Sequence, residues 1–488
     1  SVSGNTVLGG TLRVAGATSL EGAVDLNSTL TVAGAVSLAS TLSVGGATNF
    51  LSTVTVVGNT RLGAIVSVVG AANFASTVTV VGAAHLQSTV SVGGAATFAS
   101  TVTVVGAAHL QSTVSVGGAA VFADTVTVVG DGTFKSNVSV SGNLDITGNV
   151  SVAGTLFAAG GITYDGNVSV SGNLAVGGNV SIGGTLSVTG AVSLASTLSV
   201  GGASNFLSTV TVVGNTRLGA LVSVVGAANF ASTVTVVGAA HLQSTVSVGG
   251  AATFASTVTV VGIGTFKDDV SVSGNTVLGG TLRVAGATSL EGAVDLNSTL
   301  TVAGAVSLAS TLSVGGAANF ASTVTVEGAA HLKAAVSVGG AAVFASTVTV
   351  VGIGTFKDDV SVSGNTVLGG TLRVVGATSL QGAVDLNSTL TVAGAVSLAS
   401  TLSVGGAANF ASTVTVVGIG TFKDDVSVSG NTVLGGTLRV AGATSLEGAV
   451  DLNSTLTVAG AVSLASTLSV GGAANFLSTV TITGTNVQ

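Results

Sequence analysis

Cut from Ser1 in sixes, the chain reads SVSGNT, VLGGTL, RVAGAT, SLEGAV, DLNSTL and continues without insertion or deletion to TITGTN at 481–486. That is 81 hexads, with only Val487 and Gln488 left over. A repeat this short and unbroken restricts the fold more than any other feature. Six residues cannot bury an apolar face alone, so they gain a core only by stacking on their neighbours.

Two regularities give the hexad a physical frame. All 29 charged residues (11 Lys and Arg, 18 Asp and Glu) fall at hexad positions 1, 3, 4 or 5 and none at 2 or 6, so positions 2 and 6 face a place where charge is costly. Of 16 Phe, 15 stand at position 2, as does Tyr164, while Phe157 stands at position 1. Positions 6, 1 and 2 therefore read in, out, in, as in Val78-Thr79-Val80, the alternation of a β-strand with one buried face. Val and Thr suit such a pleated surface. Position 4 is mostly Gly or Ser, which lets the chain bend at little steric cost. Each hexad is read as one short strand and one corner, wound into an all-β parallel β-solenoid over residues 1–488 as one continuous array.

Near-identical blocks start at 1, 271, 361 and 427. Ser1 to Ala47 recurs unchanged at 271–317 and 427–473, and from Ser361 with Val375 for Ala and Gln381 for Glu. The offsets are all multiples of 6 but not all of 12 or 18, so the sides of the coil must be nearly equivalent. A three-sided cross-section fits, either as one chain with 18 residues per turn or as three chains each giving one hexad per layer. The alternative is a flat two-sided coil of 12, because large and small residues alternate at that interval (Phe74, Val80, Leu86, Val92, Phe98). Only that coil would stack Arg13 on Asp25 as an ion pair. At about 4.8 Å per layer every version is a rod, roughly 130 Å long in the single-chain, three-sided form. The least regular stretch is 131–186, with Phe157 and Tyr164.

Composition excludes several classes of function. Ser, Thr or Asn interrupts every apolar run, so no helix of about 20 apolar residues can span a membrane. The net charge of −7 is spread along 488 residues with no Lys/Arg cluster, which disfavours nucleic acid as a partner. The absence of Cys excludes disulfides and thiolate metal sites. Charged residues at 6% with a mean hydropathy of +0.82 argue for a buried core and against disorder. The sequence opens directly on the repeats, so any targeting segment is expected to have been removed or to lie outside it, and the array shows no distinct cap, so head-to-tail stacking or continuation of the chain is expected.

The residues with chemical potential are few and repetitive. His85, His109, His241 and His331 all occupy position 1 of an HLQ or HLK hexad, outward on a strand, with no acid or second His beside them. Paired carboxylates occur at Asp268 and Asp269, Asp358 and Asp359, and Asp424 and Asp425, each pair after a Lys at a corner. These are calcium candidates, although the ion needs six to eight oxygens; a solvated corner that discourages lateral strand pairing is the competing reading. Sequons stand at Asn27, Asn137, Asn149, Asn167, Asn179, Asn297, Asn387 and Asn453. No catalytic set, cofactor site or other metal site stands apart from the repeat.

The [LIV]-x-x-x-[STAV]-x spacing, as in Leu86 to Val90 or Val92 to Ala96, resembles the hexapeptide-repeat β-helix proteins and, in its unbroken length, the bactofilin filaments. The phrases VSVSGN, GTLSVTG and STLSVGG look like the repetitive shafts of phage and large-virus tail fibres. These resemblances imply a structural protein. Hexapeptide acyltransferases are similar in fold only, since their catalytic His works beside protruding loops and the hexads here leave no room for one. The expected function is a rigid extracellular or virion-associated fibre or filament subunit that associates with itself. An adhesin or receptor-binding fibre, its surface receptor unspecified, and an ice-binding solenoid with outward Thr ladders are the alternatives.

Overall fold

A computed structural model describes residues 1–483. Contacts divide the chain into two units, Ser1–Ser244 and Thr245–Gln488, and the internal order of each is the same. Forty three-residue strands in the first run from Thr6–Leu8 to Ala240–Leu242, and forty in the second from Val246–Val248 to Val480–Ile482. Each strand takes hexad positions 6, 1 and 2, and the bend between strands takes positions 3 to 5.

Every pairing is parallel and joins residue i to residue i+18. Val78-Thr79-Val80 lies between Thr60-Arg61-Leu62 below and Ala96-Thr97-Phe98 above, and in the second unit Val258-Thr259-Val260 pairs with Thr276-Val277-Leu278. Each unit is thus a three-sided coil of 18 residues per turn with three parallel sheets, about 13 turns each. Away from the terminal turns, where Leu8 and Val480 are exposed, residues at positions 6 and 2 point inward and are buried, as Val78 and Val80 are at 3% and 2% exposure.

The 18-residue turn overturns both alternatives. One chain supplies all three sheets, so no three-chain layer is needed. Arg13 pairs with Thr31, and Asp25 lies between Val7 and Ser43, so the 12-residue stacking of Arg13 on Asp25 does not form.

The period of 12 has a different origin. Eighteen is one and a half times twelve, so a property that alternates along the chain every 12 residues arrives in antiphase on the next turn. Phe74 is stacked between Val56 and Val92, Phe98 between Val80 and Val116, and Phe266 between Val248 and Val284. In sequence, every position-2 Phe has Val 18 residues before it and, where the chain extends that far, 18 residues after it. Bulky rings thereby rest on slim side chains. A 12-residue coil would have placed Phe74, Leu86 and Phe98 directly over one another, overfilling one layer and starving the next.

Within a strand the same volume rule holds. All 15 position-2 Phe follow Ala, Gly, Ser or Thr at position 6 and never Val or Leu. At Gly132 the space of the missing Cβ is taken by the Phe134 ring, whose Cε2 would lie 3.0 Å from it.

The corners obey a related constraint. No Ser, Ala or Asp at position 4 ever has another non-glycine residue 18 positions away; each lies between glycines on the neighbouring turns. Gly58 follows Ser40 by one turn, and a Cβ on it would come 2.5 Å from the Ser40 carbonyl carbon. No described glycine has a positive φ. Corner glycines are therefore required for closeness between turns, not for the conformational freedom the sequence suggested.

The stretch 131–186 keeps the same strands and register. Its irregularity is a redistribution of bulk. Phe157 points outward and is 47% exposed, and the residue after it, Ala158, is the only alanine at position 2. Tyr164, the next position-2 residue, is buried between Ile146 and Ile182.

Candidate functional site

Position 1 is the only strand position that faces outward, so each sheet presents a single file of side chains along the coil. One face of the first unit carries Thr79, Thr97, Ser115, Thr133, Ser151, Ser169 and Ser187 in consecutive register. A hydroxyl ladder of this kind is what the ice-binding alternative needs. On the other faces the files are mixed, as in Ser67, His85, Thr103 and Val121.

The histidines lie in these files among hydroxyls. His85 sits between Ser67 and Thr103, His109 between Ser91 and Thr127, and His331 between Ser313 and Thr349, while His241 pairs with Ser223. His109 Nε2 is 3.5 Å from Gln111 Nε2.

The corners hold the residues that the sequence reading left without a role. Position-6 amides donate to the carbonyl at position 5 of the next turn, and position-3 amides donate to the position-2 carbonyl of the turn before, as in Thr6 N to Ala23 O and Glu21 N to Val2 O. Among the described residues the position-5 amide has no such partner. Asn or Asp at position 5 of the preceding turn supplies one: Ala23 N donates to Asn5 Oδ1 at 2.9 Å, Thr155 N to Asn137 Oδ1 at 2.9 Å and Ala293 N to Asn275 Oδ1 at 2.9 Å. Along one edge these links run consecutively, from Asn149 N to Asp131 Oδ1, Asn167 N to Asn149 Oδ1 and Thr185 N to Asn167 Oδ1. The sequence carried a signal for this, Asn and Asp recurring at position 5, but its meaning required the 18-residue register.

The calcium candidates belong to this corner chemistry. Asp268 Oδ1 accepts from Asp269 N at 3.0 Å, and Asp269 Oδ1 accepts from Ala287 N at 2.7 Å. Asp358 and Asp359 repeat the arrangement at 2.9 and 2.7 Å, and Asp424 and Asp425 at 2.9 and 2.6 Å. The residues one turn away from Asp269 are Ala251 and Ala287, so each pair stands alone. Among the described residues no group of three or more metal-ligating side chains comes together. Sequon residues Asn137, Asn149, Asn167 and Asn179 likewise have Oδ1 engaged to the next turn, whereas Asn27, Asn297, Asn387 and Asn453 stand at position 3.

Inward hydroxyls were not anticipated. Thr48, Thr60, Thr216, Thr276, Thr288, Thr366, Thr378, Thr432 and Thr444 occupy position 6 at 4% exposure or less, and their Oγ1 atoms have no hydrogen-bond partner among the described residues. The Tyr164 hydroxyl is also buried without a partner, and burial pushes its pKa far up. These groups carry a desolvation cost and face the core, away from any ligand.

Comparison with protein-family models, curated proteins and solved structures returned no match. Among the described residues no helix is long and apolar enough to cross a membrane.

Proposed function

We propose that the chain is a structural spacer, an element of a fibre or filament outside the cell or on a virion, whose reach is set by the number of hexads. The observation that carries this reading is the way duplicated blocks are accommodated in the second unit. The block at 361 follows the block at 271 by 90 residues, five whole turns. Arg373 therefore lies on the same sheet as Arg283. The block at 427 follows by a further 66 residues, which is not a whole number of turns, and Arg439 lies on a different sheet. The 18-residue register is unbroken in both cases. A coil that accepts the same block on any of its sheets can lengthen by block duplication without rebuilding its core, and catalysis or selective recognition does not call for that property.

Self-association along or beside the coil belongs to this reading, because parallel sheets with repeating faces offer the same surface at many heights. The test is deletion of 271–360, which rejoins Val270 to Ser361 in frame. A spacer shortens by five turns, about 24 Å, in electron micrographs or small-angle scattering, with its circular dichroism per residue unchanged. An unfolded product, or an unchanged length, would refute the reading. Immunogold labelling of intact cells or particles checks the location.

A further inference from the structure

We propose that a notch on one edge of the first unit, centred on Gly161, binds a neutral oligosaccharide. The site goes beyond the spacer reading, which depends on length and not on any ligand.

The position-5 column on this edge runs Asn143, Gly161, Asn179, Thr197 at 18-residue intervals. Gly161 interrupts a file of amides. Both flanking amides are held by their oxygens: Asn143 Oδ1 accepts from Gly161 N at 3.2 Å, and Asn179 Oδ1 accepts from Thr197 N at 3.3 Å and from Thr197 Oγ1 at 2.7 Å. With the oxygens committed, each amide keeps its Nδ2 group as a pre-oriented donor, and the two asparagines stand two turns apart, about 9.6 Å. Nothing fills the space between them. A Cβ on Gly161 would lie 3.2 Å from Asn179 O and 3.9 Å from Asn143 Oδ1, so any side chain there would enter the hollow.

The adjoining face supplies the rest of the lining. Asp145, Thr163 and Ser181 are outward and in consecutive register, and all three border the same hollow as Asn143, Gly161 and Asn179. With Ser196, whose hydroxyl donates to Asn179 Oδ1, the set comprises two fixed amide donors, one carboxylate acceptor and three hydroxyls, of which those of Thr163 and Ser181 are left to donate and accept. Adjacent sugar hydroxyls, each donating and accepting, match that pattern. The only charged residue lining the hollow is Asp145, which disfavours phosphorylated, sulfated or carboxylated ligands. Because the amides are fixed before a ligand arrives, little side-chain ordering remains to oppose binding.

The full chain is applied to an array of neutral and anionic oligosaccharides, and neutral hits are titrated by calorimetry. The expected result is binding of one or more neutral oligosaccharides that falls at least tenfold in Gly161→Asn. That variant places a third amide in the notch, between Asn143 and Asn179, and would complete on this edge a ladder like the one Asp131, Asn149 and Asn167 form on another, so its circular dichroism should match the parent. Asp145→Ala, at an exposed outward position, gives a second, independent loss, and Asp295→Ala on the second unit leaves binding unchanged. No neutral hit, hits confined to anionic glycans, or neutral hits equally strong in Gly161→Asn and Asp145→Ala would each overturn the proposal.

Discussion

Placing a side chain at Gly118 tests how closely successive turns approach. Gly118 lies between Ser100 one turn below and Ser136 one turn above. A Cβ on it would fall 2.6 Å from Thr101 N and 2.7 Å from the Ser100 carbonyl carbon, about 1 Å inside the contact distance of roughly 3.5 Å. Both obstacles are backbone, so relief requires the turns to part. Parting by about 1 Å would stretch the ladder bonds Gly117 N to Phe98 O at 2.8 Å and Gly118 N to Ser100 O at 3.2 Å beyond hydrogen-bond reach. Two such bonds at about 1 kcal/mol each, with overpacking strain of about 1–2 kcal/mol, give a local loss near 3 kcal/mol for Gly118→Ser. The reverse change, Ser100→Gly, removes a side chain that lies between glycines and costs under about 1 kcal/mol. Native-state hydrogen exchange reads the difference: protection of the Gly117 and Ala120 amides should fall about 100-fold in Gly118→Ser and less than tenfold in Ser100→Gly. In a 12-residue coil Gly118 would neighbour Gly106 and Gly130, and the serine would be harmless. Equal protection in the two variants would therefore refute the reasoning.

Three further outcomes are expected. Thr288→Val, which replaces a buried hydroxyl without a partner by a methyl group of similar shape, should raise stability by about 1–2 kcal/mol, measured by denaturant titration. Tyr164 has its pKa raised above the unfolded value of about 10 by burial, so its contribution is complete below pH 10. It is lost as pH rises further, at about 1.4 kcal/mol per unit, and Tyr164→Phe should remove that dependence from thermal melts. Asn149→Ala deprives the Asn167 amide of its acceptor and should cost about 1 kcal/mol, visible as faster exchange of that amide.

The strand and the corner were legible in the hexad because burial forbids charge at two positions, and that rule acts on every unit alone. The number of hexads per turn was harder to read, since it is a relation between units. Phe74, Leu86 and Phe98 suggested direct stacking at 12, whereas their spacing exists to avoid stacking at 18. The glycines at position 4 were read as flexible, while Gly58 shows that the constraint is the backbone of the turn below. The corner role of Asn5 or Asp269 was out of reach for the same reason, because its partner amide lies a full turn away. The Gly161 notch stayed hidden because an absent side chain is informative only when its neighbours in space are known. The inward threonines escaped because Thr at position 6 resembles Val in size and strand preference, and only burial reveals the stranded hydroxyl.

The register itself can be measured by cross-linking, since the chain has no native cysteine. Thr79 and Thr97 are ladder partners on one sheet, about 4.8 Å apart along the coil and within the Cα separation a disulfide spans. Ser91, 12 residues from Thr79, lies on another sheet, paired with Asn73 and His109. Under oxidising, dilute conditions Thr79→Cys/Thr97→Cys should close an intramolecular disulfide in nearly every molecule, and Thr79→Cys/Ser91→Cys should remain reduced. Closure of the second pair and not the first would contradict the three-sided, 18-residue turn on which the whole account depends.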